Sequence, residues 1–354
     1  MNIFFMSTKA SSLRAPSALS VIGFLICFAP SQMTHAGGLE DLAAIDFSLR
    51  LPAALSKFSS YGDVAGFGGA SAGSRYATGI NPASTAWISG SEHPFSVSPQ
   101  YSQIRFERGP TLHISTLALG LETKDMGSFQ PAIAQISNDG KQEGDFLLLQ
   151  GYYAQLQWGK KLANDFAVGL NMNYASFNTK AGLGGALVAD GTSDTAGIRG
   201  GVLWAAAPRW LTGLVVDYSV ADSNANVFDP NCFCLVKTTG KSYSSAVRAG
   251  LSYEYAELSS VYLDIWAGRF RNPVESMSGK VIFTGVEHHF LPWMFGRAGV
   301  AYDFRGFYSP TLGVGVNPSK NMTIDAAIQQ DMFPELRPEF GKSKLLNVSA
   351  TLSF

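Results

Sequence analysis

The sequence predicts an all-β protein: a transmembrane antiparallel β-barrel of about 14 strands, preceded by a segment that is not part of the barrel. Three observations carry this. The last ten residues, Leu345 to Phe354 (LLNVSATLSF), alternate strictly, with Leu346, Val348, Ala350, Leu352 and Phe354 apolar and Asn347, Ser349, Thr351 and Ser353 small and polar. Segments of the same period follow one another along most of the chain, and the connections between them alternate between short and long. A strand puts successive side chains on opposite faces, so one face here suits lipid and the other water. Such a strand at the edge of a soluble sheet invites aggregation, whereas barrel closure removes the edge. A terminal Phe354 also resembles the signal that outer-membrane barrels present to their assembly machinery.

The composition agrees. The chain has 354 residues, a formal net charge of -1, 15% charged and 12% aromatic residues, and 37 Gly. No strong basic or acidic field points to nucleic acid or a polyanion. After the amino terminus no apolar run reaches the length of a membrane helix.

Residues 1–36 read as a signal peptide. Lys9 and Arg14 give a basic start, Ala18 to Ala29 is apolar, and Thr34-His35-Ala36 places small residues at the sites a signal peptidase reads. The alternative is a short membrane anchor, for which the apolar stretch is short. Ile26 before Cys27 argues against lipidation. The other cysteines, Cys232 and Cys234, flank Phe233. Exported cysteines pair, yet closure across one residue is strained, so a disulfide and free thiols both stay open. No His stands nearby, and no metal site is expected.

In chain order the expected strands are 94–106, 111–121, 126–137, 149–160, 164–177, 196–206, 209–221, 242–254, 258–269, 277–289, 291–304, 308–317, 319–331 and 343–354. The third and tenth alternate least clearly, so twelve strands is the alternative count. Short connections include Lys161–Ala163, Ala207–Pro208 and Tyr255–Glu257; long loops are expected at Asp139–Leu148, Lys180–Thr195 and Ala221–Lys241. Barrels of the outer membrane have tight periplasmic turns and longer outer loops. With fourteen strands the carboxy terminus and every short turn fall on one side, the periplasmic one. Trp158, Trp204, Trp210, Trp266 and Trp293, with Tyr152, Tyr218, Tyr302 and Phe304, are expected to form aromatic girdles at the two interfaces; a soluble aromatic core is the alternative. Arg199, Asp217, Arg248, Asp264, Arg297, Asp303 and Asp325 mostly fall on the opposite faces, the lumen, where they need water or one another.

Residues 37–93 do not alternate. Pro52 suits a first helical position, and Tyr61 to Trp87 holds Gly66, Gly68, Gly69 and Gly73. Asn81-Pro82 is expected to cap a short helix. A nucleotide-binding reading of the glycines fails for want of a preceding parallel strand and a following Lys. The Gly66, Gly68, Gly69, Ala70 run followed by Asn81, Pro82 and Ala83, ahead of such a barrel, resembles the FadL/TodX group of outer-membrane transporters for hydrophobic compounds. The stretch TLGVGVNPSKNMTIDAAIQQ and the terminal SATLSF are similar to that group and to its PorV-like relatives. The resemblance implies that residues 37–93 fold into the barrel 94–354 as a plug shaped by Gly66, Gly68, Gly69, Asn81 and Pro82. It further implies that substrate binds an apolar lumen site and leaves sideways through a gap made by a kinked strand. Pro131, in the third expected strand, is the candidate kink, because proline cannot donate to a ladder and a closed barrel offers no edge. Pro99 competes with it, and a loop over 126–137 is the alternative.

These readings point to passive transport of hydrophobic small molecules, long-chain fatty acids or hydrocarbons, with no cofactor. A PorV-like role in protein secretion or surface attachment and a general porin are the alternatives. An enzyme is not expected: His93, His113, His288 and His289 form no catalytic set with Ser and Asp at recognisable spacing. His288 and His289, adjacent at a strand end, should point to opposite faces. Expected partners are outer-membrane lipids, the barrel assembly machinery and a hydrophobic substrate; nucleic acid is not one.

Overall fold

The computed structural model describes Ser74, residues 79–88 and residues 94–354, the last without 108–110, 124, 139–140, 143–144, 184–185, 230–231, 233, 272–275, 334–336 and 338–340. The signal-peptide segment 1–36 and Gly66, Gly68 and Gly69 lie outside the described residues. The strands are β1 (Phe95–Phe106), β2 (Thr111–Thr123), β3 (Gly127–Asn138), the two-residue β4 (Lys141–Gln142), β5 (Asp145–Ala163), β6 (Phe166–Leu183), β7 (Ala186–Ala207), β8 (Trp210–Asp229), β9 (Cys234–Ala256), β10 (Ser259–Arg271), β11 (Ser276–Leu291), β12 (Met294–Asp303), β13 (Phe307–Ser319), β14 (Met322–Gln330) and β15 (Ser343–Ser353). Each pairs antiparallel with its neighbours in sequence. β3 pairs with β5 past the small β4 hairpin, and β1 pairs with β15, so fourteen strands close a barrel. Both of the less clearly alternating strands are present, as β3 and β11, which removes the twelve-strand count.

The barrel is inside out relative to a soluble protein. On β6 Leu170, Met172 and Tyr174 are exposed while Asn171 between them is buried. On β14 Ile328 is exposed and Asp325, Ala327 and Gln329 are buried. On β15 Leu346 and Val348 face out and Asn347 and Ser349 face in. The exposed row is apolar because it meets lipid; the buried row is polar because it faces the lumen.

The short turns lie together at one end, between β5 and β6, β7 and β8, β9 and β10, β11 and β12, and β13 and β14. Arg209 and Leu258, in two of these turns, take positive φ (67° and 59°), as the tightest hairpins demand. The carboxy terminus is at the same end: Phe354 donates its N–H to Phe95 O at 2.8 Å and receives the Phe95 N–H at 3.4 Å.

The long loops expected at Lys180–Thr195 and Ala221–Lys241 are not loops. β6 continues to Leu183 and β7 starts at Ala186; β8 runs to Asp229 and β9 starts at Cys234. Asp139–Leu148 likewise holds β4 and the start of β5. Beyond the bilayer the outward face meets water instead of lipid, so Asp222, Asn224 and Asn226 stand where apolar residues would, while inward Ala221, Ser223 and Ala225 stay buried and the backbone ladder continues. Hydrophilic pairs carry it there: Ser193 and Ser223 hydroxyls lie 3.0 Å apart, and Lys241 reaches Asp222 at 3.4 Å. Cys232 and Cys234 are joined by a disulfide at the tip of the β8–β9 hairpin.

Aromatic side chains form two belts on the outer face. One, near the short turns, includes Trp204, Trp293 and the Trp210–Tyr253 pair at 4.5 Å. The other includes the Tyr152–Tyr174 and Tyr302–Tyr308 pairs. Trp204 lies opposite Phe166, and Tyr174 is eight residues further along β6. That is about 26 Å of strand, or about 20 Å along the membrane normal at a tilt of about 40°, within an apolar band of about 25 Å. Trp266 is the exception to the girdle expectation. It points into the lumen over Gly268 and Gly279, where an added Cβ would approach its ring to 2.3 and 3.2 Å. His288 turns outward against Tyr255, while His289 turns inward toward Glu287, 3.5 Å away.

Leu170 lies midway between the belts and faces lipid. Leu170→Arg is expected to destabilise the barrel by about 2–4 kcal/mol, whereas Met172→Leu should change little. Urea unfolding from phospholipid vesicles measures both.

Candidate functional site

The inward side chains at mid-height of β5–β12 and β14 form a polar band. Arg199 on β7 is opposite Asp217 on β8 and donates from Nε to Oδ2 at 2.6 Å. Arg248 on β9 donates to Asp264 on β10 at 2.7 Å, with both side chains almost fully buried. Arg297 on β12 donates to the opposite Glu287 at 2.6 Å and also to Asp325 on β14. To reach Asp325 it spans β13, whose Gly313 and Gly315 lie opposite Arg297 and Asp325 and present no side chain. The Arg248 and Arg297 guanidiniums also lie over the Phe283 and Phe295 rings, at 4.3 and 4.5 Å. Removing charge from water is costly, and such pairs persist because each group is met by its opposite. On β5 and β6 amides replace charges: Asn171 donates to Gln155 at 3.0 Å, and Asn173 donates to Asn171 at 3.1 Å.

Residues 79–88 pack against this inner wall. Asn81 caps a 3₁₀ turn at Pro82–Ser84 by accepting the Ala83 N–H at 3.0 Å, and α1 (Thr85–Ile88) follows. Asn81 also donates from Nδ2 to Val202 O at 2.9 Å. Gln157 donates to Thr85 Oγ1, and Arg199 donates to the carbonyls of Gly79 and Ile80. The seat is a row of three glycines directly opposite one another, Gly159 on β5, Gly169 on β6 and Gly201 on β7. A Cβ on Gly169 would sit 2.2 Å from Pro82 C, and one on Gly201 2.1 Å from Asn81 Oδ1. Only a wall without side chains lets the Asn-Pro-Ala turn approach this closely. Ile80 packs with Val215, the β8 partner of Gly201, and with Tyr262 on β10 and Phe283 on β11.

Toward the outer end of β1–β3, β5 and β6 the inward face is apolar. Ile104, Leu112, Ile114, Ile136, Leu149 and Phe177 form one cluster. Phe333, from the β14–β15 connection, folds onto it and stacks 6.4 Å from Phe106.

Two ladders are interrupted at prolines without any change of register. Between β2 and β3 the pairs Ala118↔Ala132 and Leu121↔Phe129 flank Leu119 and Gly120, which do not pair with Pro131 and Gln130. Between β1 and β15 the pairs Val97↔Leu352 and Gln100↔Ser349 flank Pro99. At the second break Ser98 and Thr351 hydroxyls bridge the strands at 2.9 Å. Pro131 retains its pairing with Leu156 on β5.

Of the residues singled out by sequence, Asn81 and Pro82 are therefore on the inner wall and Pro131 is at a ladder break. Phe354 is at the barrel seam, and Cys232 and Cys234 are at an outer hairpin tip, well away from the others. Sequence reasoning missed the glycine row and the Glu287–Arg297–Asp325 triad. The signal for the row was present: each glycine occupies an inward position close to a short turn.

No known protein-family model matches the chain, and no curated protein matches it. Solved structures do. A structure described as the CymD monoaromatic hydrocarbon channel is 14% identical with a TM-score of 0.55, covering 82% of this chain and 96% of that one. The toluene transporter TodX of Pseudomonas putida is 11% identical with a TM-score of 0.56, covering 84% and 98%. A Pseudomonas aeruginosa FadL homologue is 13% identical with a TM-score of 0.51, covering 82% and 98%. At these identities the likeness establishes a shared fold.

Two substitutions probe the site. Arg297→Met leaves two buried carboxylates without their cation and is expected to cost about 3–5 kcal/mol in the same urea unfolding measurement. Gly169→Val pushes the Asn-Pro-Ala turn off its seat, and single-channel conductance in planar bilayers is expected to rise several-fold above that of the unaltered protein.

Proposed function

We propose that this chain is an outer-membrane channel for the passive transport of hydrophobic small molecules, through a plugged barrel with lateral exit into the bilayer. The observation that carries the reading is the combination of an occupied lumen with a broken wall. The Asn-Pro-Ala turn fills the inner face of β5–β7, an apolar cluster lines the outer half of β1–β3, and the β2–β3 ladder of the same wall is interrupted at Pro131, nearer the short-turn end. The structures of similar fold described as hydrocarbon and toluene channels support the same reading.

Residues 37–93 act as the plug, with Asn81 and Pro82 shaping its contact with the wall. A hydrophobic molecule leaves water for the apolar cluster, gaining about 25 cal/mol per Å² of apolar surface buried. It then passes between β2 and β3 into lipid, where that surface stays out of water. Both steps run downhill, so no energy-coupling element is needed. The missing ladder bonds make the β2–β3 boundary the weakest part of the wall, because Pro131 has no N–H to give. Phe354 serves recognition by the assembly machinery.

Proteoliposomes test this. Uptake of a labelled alkane or alkylbenzene from water into the bilayer is expected to be faster with the protein than without it, while sucrose stays excluded. Pro131→Val restores a donor and should slow the uptake about tenfold by closing the ladder. Free passage of sucrose with no gain for the hydrophobic probe would contradict the proposal.

A further inference from the structure

The inner wall of β1–β3 carries a polar patch that its own protein neighbours do not satisfy. Both amide atoms of Gln100, the Thr116 hydroxyl, the Ser128 hydroxyl and the Gln130 carbonyl oxygen are buried and have no hydrogen-bond partner among the described residues. Each of the four side chains is more than nine-tenths buried or at that limit, the most exposed being Thr116 at 9%. All four lie on the inward face by alternation. Gln100 and Thr116 are directly opposite in the β1–β2 register. Ser128 and Gln130 stand apart from that pair: Thr116 lies opposite Ala134, and Gln130 and Ser128 are four and six residues further along β3 toward the short turns, Gln130 bordering the ladder break beside Pro131. Toward the outer end the same three faces turn apolar, with Ile104, Ile114 and Ile136.

The patch is neutral. Among the described inward positions of β1–β3, β14 and β15 the charged groups are Glu122, six residues along β2 from Thr116, and Asp325, which Arg297 holds. The lumen arginines on β7, β9 and β12 each already hold a carboxylate. A carboxylate headgroup at the patch would therefore be desolvated with no unpaired cation beside it. A plain hydrocarbon would leave the three donor and acceptor atoms of Gln100 and Thr116 without a partner. A neutral group that both donates and accepts, attached to an apolar body, answers both halves of this surface.

We propose that the β1–β3 inner wall selects neutral hydrogen-bonding amphiphiles: alcohols, ketones or amides on an alkyl or aryl body, with the head on Gln100 and Thr116 and the body on Ile114 and Ile136, one inward row away. This rests on the reading of the barrel as a channel for hydrophobic molecules and narrows its substrate class.

Isothermal titration of the full protein in lipid nanodiscs, with empty nanodiscs as blank, tests it. The ligands share one carbon skeleton: an alkane, its primary alcohol, its methyl ketone, and its carboxylate at alkaline pH. Alcohol and ketone are expected to bind at least about tenfold more tightly than alkane and carboxylate. In the double variant Gln100→Leu, Thr116→Val the ratio of alcohol to alkane affinity should fall to about one. A ratio within one preparation does not depend on the folded fraction, and heat-modifiable mobility on a gel verifies that the barrel is intact. Equal affinity for alkane and alcohol, tighter binding of the carboxylate, or a ratio unchanged in the variant would overturn the proposal. If the alkane binds as well as the alcohol and is carried into proteoliposome bilayers, the channel reading stands and the selectivity falls. If no ligand binds and none is carried, both fall.

Discussion

Closure of β1 onto β15 is the constraint from which the rest of the structure follows. In lipid a backbone N–H or C=O without a partner costs several kcal/mol, because no water is available to replace the bond. A chain that crosses the bilayer as strands must therefore return to its own first strand. The β1–β15 register runs from Ser96↔Ser353 to Phe106↔Ser343, and Phe95 and Phe354 exchange backbone hydrogen bonds at its end. An antiparallel cylinder closed by adjacent first and last strands has an even strand count and places both ends of the barrel on one side. Where the seam lacks a bond, at Pro99, the Ser98 and Thr351 hydroxyls span the gap. Among the described residues no side-chain bridge spans the corresponding break at Pro131, which is why the β2–β3 boundary carries the functional proposal.

Closure also inverts the usual arrangement of polar and apolar residues. The outer wall takes the leucines, isoleucines and aromatics, and the inner wall receives what lipid rejects. Inside, charge survives through pairing, so Arg199, Arg248 and Arg297 each meet a carboxylate across one or two strands. Space inside is limited, so side chains are absent where another segment approaches. Gly159, Gly169 and Gly201 open the wall to the Asn-Pro-Ala turn, and Gly313 and Gly315 let Arg297 reach Asp325. The β1–β3 wall differs from that of β7–β12 in having no ion pair among its described inward residues and an interrupted ladder.

The sequence made the barrel legible because lipid on one side and a polar lumen on the other impose period two. LLNVSATLSF, β6, β9 and β14 all carry that imprint, and short turns at every second connection gave the sidedness. Legibility stopped where the imprint stops. The stretch from Lys180 to Thr195 and that from Ala221 to Lys241 meet water instead of lipid on their outward face, lose the apolar alternation and read as loops, though their ladders continue. Trp266 shows a second limit, since an aromatic ring suits an interface belt or a lumen equally and its place depends on Gly268 and Gly279. Asn81-Pro82 was readable as a cap because the capping chemistry is local. Its seat was not, because the three glycines are far apart in sequence and converge only through the register. The ion pairs lie between: their inward placement followed from alternation, but the partner of each did not.

The most direct test of the closed, membrane-embedded barrel is a cysteine pair at the seam. Tyr101 and Val348 are Cα partners across β1 and β15, and both face outward. With both replaced by Cys in a chain lacking the native cysteines, the account predicts an intramolecular disulfide in isolated outer membranes, with the reduced thiols shielded from a membrane-impermeant maleimide. Rapid labelling of both thiols by that reagent, with no cross-link formed, would contradict it.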